Sequence, residues 1–115
     1  MKIKCFRDLN IWKLGKEIVK ETYHITDSFP SSEKFGLTSQ IRRSSVSIPS
    51  NIAEGFNRYK NNEYRRFLFM ALGSCAELET QVEISKDLKF LVKAEELIDK
   101  INHESRMIQA LINKL

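Results

Sequence analysis

Apolar residues return every three or four positions along almost the whole chain, and this rhythm commits it to α-helix. From about Asp8 to Ser28 the stripe reads Leu9, Trp12, Val19, Tyr23 and Thr26, with Ile18 and Ile25 beside it. From Leu37 or Thr38 it reads Leu37, Ile41, Ile48, Ile52 and Phe56. A third run starts near Asn61–Asn62 and passes through Tyr64, Phe67, Leu68, Ala71, Cys75, Leu78, Val82 and Ser85 to end near Leu88–Phe90. The fourth starts near Val92–Lys93 and carries Ala94, Leu97, Ile98, Ile101, Ile108, Leu111, Ile112 and Leu115. Asp8, Ser31 or Ser32, and Asn62 are the expected caps, because short polar side chains accept from the free amides of a first turn. Phe29-Pro30 ends the first run, since the residue before a proline is pushed out of the α region.

Four long helices joined by connections of roughly four to six residues must lie antiparallel to their chain neighbours. The expected fold is therefore all-α: one domain over residues 1–115, an up-down-up-down four-helix bundle. The chain has only four glycines and two prolines, too few turn residues for a many-stranded sandwich or barrel. At 115 residues it can bury roughly two thirds of its unfolded surface, enough for a core without staples.

Pro49 falls inside the second helix. It removes one backbone donor and crowds the carbonyl of Ser45, at a cost of roughly 3 kcal/mol. The stripe resumes in phase at Ile52, so the expectation is a helix kinked at Pro49 rather than broken. Ser45 and Ser47 are positioned to donate to carbonyls freed by a bend. Ser44, Ser47, Ala53 and Gly55 are small enough for another helix to approach closely. A phosphate-binding loop is excluded, because the segment has one glycine and no strand before it.

Catalytic patterns are sparse. A di-metal carboxylate bundle needs two Glu-x-x-His motifs. Glu21 and His24 form one, but the residue three before His103 is Lys100. There is no G-x-S-x-G elbow. Cys75 lies on the apolar stripe, where a buried inert thiol is expected. Glu77 and Gln81 lie beside that stripe, Glu54 is expected to pair with Arg58, and Glu79 and Glu83 to face solvent. The expectation is a non-enzyme with no cofactor, no metal and no small-molecule substrate. Cys5 and Cys75 form no C-x-x-C pair and fit a reducing cytoplasm. The N-terminus has no signal-peptide core, and no apolar run approaches the ~20 residues of a membrane span.

The positive charge is concentrated in the middle. The net charge is +4, and residues 29–66 carry seven Lys or Arg against three acids, whereas residues 67–115 carry six against eight. Arg42 and Arg43 are adjacent on the second helix, Arg58 and Lys60 lie at its end, and Arg65 and Arg66 open the third. The two helices meet at the 57–62 joint, so Arg58, Lys60, Arg65 and Arg66 are expected to cluster at one end of the bundle, with Tyr59 and Tyr64 among them. Arginine for phosphates and flat rings for stacking are the means by which proteins hold RNA and single strands. The expected partner is RNA or a ribonucleoprotein. The alternative is a protein–protein scaffold whose arginines pair with acidic residues of a neighbouring subunit.

The runs F-R-D-L-N-I-W (Phe6–Trp12), F-P-x-x-E-x-F-G-L-T-x-Q-I-R-R (Phe29–Arg43), S-V-S-I-P-S-N-I-A-E-G (Ser45–Gly55) and G-S-x-x-E-L-E-T-Q (Gly73–Gln81) cover nearly the whole chain. In this combination the sequence resembles the four-helix bundle family of 23S rRNA-intervening sequence proteins. It departs in Ser44 and Ser45, where the family often has alanine. The resemblance implies an up-down bundle and a homopentamer with a central opening. It also implies an architecture similar to the accessory proteins of diversity-generating retroelements, basic barrels that bind RNA and a reverse transcriptase. It carries over no catalytic residue.

Overall fold

The computed structural model describes residues 2–58 and 60–115. Among them are four α-helices and no strand: α1 (Asn10–Thr26), α2 (Leu37–Phe56), α3 (Asn61–Asp87) and α4 (Glu95–Lys114). Single 3-10 turns at Phe6–Asp8 and Ser31–Glu33 precede α1 and α2. The helices form an elongated body of 44 × 24 × 19 Å. Among the described residues no helix is long and apolar enough to cross a membrane.

Each helix packs on its chain neighbours, and α4 closes the ring against α1. Contacts along three of the four seams give the direction. Gly15 meets Pro49 while Thr26 meets Arg42, so α1 and α2 run oppositely. Ser44 meets Gln81, Ser47 meets Ser74, and Gly55 meets Phe67, so α2 and α3 do too. Glu21 holds Lys100 and Gly15 faces Glu104, which sets α1 against α4 in the same sense. The core is aliphatic: Ile18, Ile41, Ile48, Ile52, Leu68, Leu78, Ile101 and Ile108 have no exposed surface.

The buried face of α1 differs from the expected stripe. Ile11, Gly15, Ile18, Thr22 and Thr26 are buried, whereas Trp12 and Val19 are half-buried and Tyr23 is exposed. Two of the inward positions are held by Gly15 and Thr22, which apolar counting passes over. The Thr22 hydroxyl donates to the Ile18 carbonyl at 2.7 Å, which lets a polar residue sit inside.

The expected caps also move. α1 starts at Asn10 after Leu9, and Asp8 belongs to the preceding 3-10 turn. Ser31 and Ser32 lie in the second 3-10 turn, and α2 starts after Gly36. There the Glu33 carboxylate accepts from the Leu37 amide at 3.2 Å. Asn62 lies one residue inside α3, with its side-chain oxygen accepting from the Glu63 amide at 3.0 Å. At the other end of α3, Lys89 takes φ 65°. Phe90 N–H donates to Ser85 O and Lys89 N–H to Lys86 O, both at 2.9 Å, the paired bonds of a Schellman stop. The turn delivers Phe90 to within 5.7 Å of the Phe29 ring, closing that end of the core.

α2 continues through Pro49 without interruption. The Ser45 and Ser47 hydroxyls donate to the carbonyls of Arg42 and Ser44, each at 2.8 Å. These carbonyls lie three residues and one residue before the Ser45 carbonyl that the proline leaves without its donor, so neither hydroxyl serves it. The small residues do admit a close neighbour, and it is α3: the Ser44 hydroxyl donates to Gln81 at 2.9 Å and that of Ser47 meets Ser74 at 2.6 Å.

Candidate nucleic-acid interface

The antiparallel α2–α3 pair decides where the basic residues go. Arg58, Lys60, Arg65 and Arg66 gather at the corner where α2 hands over to α3. Arg42 and Arg43 lie some fifteen residues back along α2, about 22 Å away at 1.5 Å per residue. The six expected contacts therefore form two groups.

Arg42 belongs to the fold. Its Nε donates to the Thr26 hydroxyl at 2.9 Å, its Nη2 pairs with Asp27 at 3.2 Å, and its guanidinium stands 4.5 Å from the centre of the Tyr23 ring. This cation closes the C-terminal end of α1, where the helix dipole favours positive charge. Arg43 is exposed, with one weak bond to Ser39 at 3.4 Å. It borders an open groove of about 610 Å3 that also includes Tyr23, Lys34, Phe35 and Val46. Phe35 is 90% exposed there, which nothing in the helical pattern marks in advance.

At the corner, Arg58 pairs with Glu54 at 3.2 Å, as the i,i+4 spacing leads one to expect. Arg66 grips both oxygens of Glu63, at 3.2 and 3.3 Å. That bond holds the Glu63 carboxyl below the usual carboxylate range and raises the guanidinium's own affinity for its proton. Both guanidiniums stand 4.9 Å from the Phe67 ring centre. Lys60 and Arg65 are exposed and enter no ion pair among the described residues. The corner thus shows four cations against two carboxylates.

Tyr64 is half-buried, edge-on to Phe56 at 5.9 Å and close against Gly55. Burial pushes its hydroxyl up to about 12. Its ring packs the corner and is not held out flat for a base. Tyr59 lies outside the described residues.

Cys75 is buried and burial pushes its thiol up to about 12. Glu21 gives its carboxylate to Lys100 at 2.8 Å. Among the described residues no three His, Cys, Asp or Glu side chains come together as metal ligands.

The sequence matches the family model described as 23S rRNA-intervening sequence protein over residues 7–110. The chain belongs to that family. A crystal structure of a protein of unknown function from the S23 ribosomal protein family of Bacteroides thetaiotaomicron has the same fold. It superposes with a TM-score of 0.79 at 19% identity, covering 89% of this chain and 97% of that one. No curated protein matches the sequence. Within this family member, the residues that sequence reasoning missed are Phe35 and Glu104. Glu104 has one signal, the gap in the α4 stripe between Ile101 and Ile108.

Proposed function

We propose that this family member is a non-enzymatic, homo-oligomeric bundle that binds RNA through the α2–α3 corner. The observation that carries the reading is the exposed concentration of Arg58, Lys60, Arg65 and Arg66 on one short joint against only Glu54 and Glu63. Lys60 and Arg65 are the first contacts for phosphate, because they have no carboxylate to leave. Arg58 and Arg66 must exchange Glu54 and Glu63 for phosphate, which lowers what they add. Arg42 is left out of the contact set because the α1–α2 junction engages it.

Fluorescence anisotropy with single-stranded RNA across a salt series tests this. Lys60→Ala with Arg65→Ala should weaken binding and flatten the salt slope by roughly 0.7 per lost contact on a single strand. Wild-type affinity at low salt no better than that of a neutral control protein would refute the reading.

The second reading, subunit assembly, is favoured by the groove beside Arg43. Its apolar members Phe35, Val46 and Tyr23 are exposed among Lys34 and Arg43. Val92, also 90% exposed, precedes the acidic start of α4 at Glu95 and Glu96. An apolar site rimmed by cations and an apolar residue beside carboxylates are complementary between two copies. The pentamer implied by the family resemblance is the assembly to look for. Sedimentation velocity should show dissociation for Phe35→Ser; an unchanged sedimentation coefficient would exclude this groove as the contact.

A further inference from the structure

The core holds an acid that neither RNA binding nor assembly uses. Glu104 lies on the buried face of α4 with no exposed surface, and neither carboxylate oxygen has a hydrogen-bond partner. Gly15 makes room for it: a Cβ there would stand 3.0 Å from Glu104 Oε2 and 3.3 Å from the Pro49 Cβ. The glycine of α1, the proline of α2 and the acid of α4 thus converge on one point.

Among the described residues no counterion reaches that point. The buried faces of α1 and α2 carry no titratable side chain. The buried face of α3 offers only the Cys75 thiol, whose proton is held more tightly in part because of Glu104. On α4 itself, Lys100 is one turn away but engaged by Glu21 at 2.8 Å, while His103 and Arg106 are exposed. An unpaired charge there would lose its hydration with nothing in exchange. The desolvation raises the carboxyl to about 8.

Pro49 supplies the complementary deficit. Without an N–H it leaves the Ser45 carbonyl short of its usual helical donor, and Ser45 has no exposed surface through which water could substitute. A protonated carboxyl is a donor, which an ionised one is not. We propose that Glu104 is the proton-binding group of the bundle core, held as a neutral acid whose O–H serves the Ser45 carbonyl orphaned by Pro49.

The sign follows from linkage. The folded chain keeps this proton to higher pH than the unfolded chain, whose glutamate titrates near the ordinary 4.5. The contribution is therefore fully present below that range, falls as pH rises, and levels off above about 8.

Urea denaturation of the full chain from about pH 4 to about pH 9 tests the proposal. The wild-type midpoint should fall across this window relative to Glu104→Gln and Glu104→Leu, neither of which can titrate there. The Gln variant keeps an N–H donor and should exceed the Leu variant in stability. Pro49→Ala, which returns a donor to Ser45, should shrink that advantage. A wild-type profile parallel to that of Glu104→Gln would overturn the proton assignment, and a Gln–Leu difference indifferent to Pro49→Ala would overturn the Ser45 pairing. If a variant fails to fold, infrared spectroscopy of the wild type decides: a carboxylic-acid C=O band that persists at neutral pH and vanishes above about pH 9 supports the assignment, and its absence at neutral pH refutes it.

Discussion

Replacing Gly55 by alanine should destabilise the bundle although alanine is the better helix former. A Cβ at this position would stand 2.7 Å from the Phe67 Cβ, 3.2 Å from Tyr64 Cδ1 and 3.3 Å from the Tyr64 carbonyl oxygen. Carbon atoms in contact prefer roughly 3.5–4.0 Å, so the nearest approach is about 1 Å too short. Two of the three obstacles, a Cβ and a main-chain oxygen, cannot swing aside; α2 and α3 would have to part here. Overpacking of this kind costs roughly 1–3 kcal/mol, against a helix-propensity gain of at most about 1 kcal/mol near a helix end. The expected net loss is about 1–2 kcal/mol, or a fall of several degrees in Tm. Gly73→Ala is the matched control, because nothing lies within 4 Å of a Cβ there. It should gain about 0.5–1 kcal/mol from propensity alone. Urea denaturation followed by circular dichroism compares the two directly. A Gly55→Ala protein as stable as Gly73→Ala would refute the claim that this glycine is held by the closeness of α3.

Lys89 sits at φ 65° in the α3 stop, so Lys89→Gly should stabilise by about 0.5–1 kcal/mol in the same assay. Arg42→Ala should cost roughly 1–2 kcal/mol by uncovering the end of α1, while Arg65→Ala should leave the urea midpoint nearly unchanged. Alkylation at neutral pH, read by mass spectrometry, should modify Cys5 in the native protein, where Arg7 lowers the pKa of a partly exposed thiol, and reach Cys75 only on unfolding.

The helices themselves were legible because periodicity is local: α2, α3 and α4 bury the residues their stripes nominate, with few exceptions. α1 was legible as a helix but not in its facing. Gly15 and Thr22 point inward because their neighbours need space and a hydroxyl can bond back to its own helix, and neither reason is visible along the chain. Arg58–Glu54 was readable from its spacing, whereas the engagement of Arg42 with Thr26 and Asp27 depends on a junction between two helices. The sequence put four of the cations at the 57–62 joint and Arg42 and Arg43 farther back on α2, but it gave no sign that the fold would engage Arg42 and leave its neighbour Arg43 exposed.

By itself the amino-acid order determined an all-helical bundle, its four segments, the continuation of α2 past Pro49 and the inert setting of Cys75. Each follows from patterns that repeat within a few residues. Only the tertiary structure decided that α3 leaves no room for a Cβ at Gly55, that Phe35 stands in the open, and that Glu104 and Pro49 both border Gly15 in the buried core. Those outcomes depend on which side chains from distant segments share one volume, and burial and charge take their meaning from that sharing.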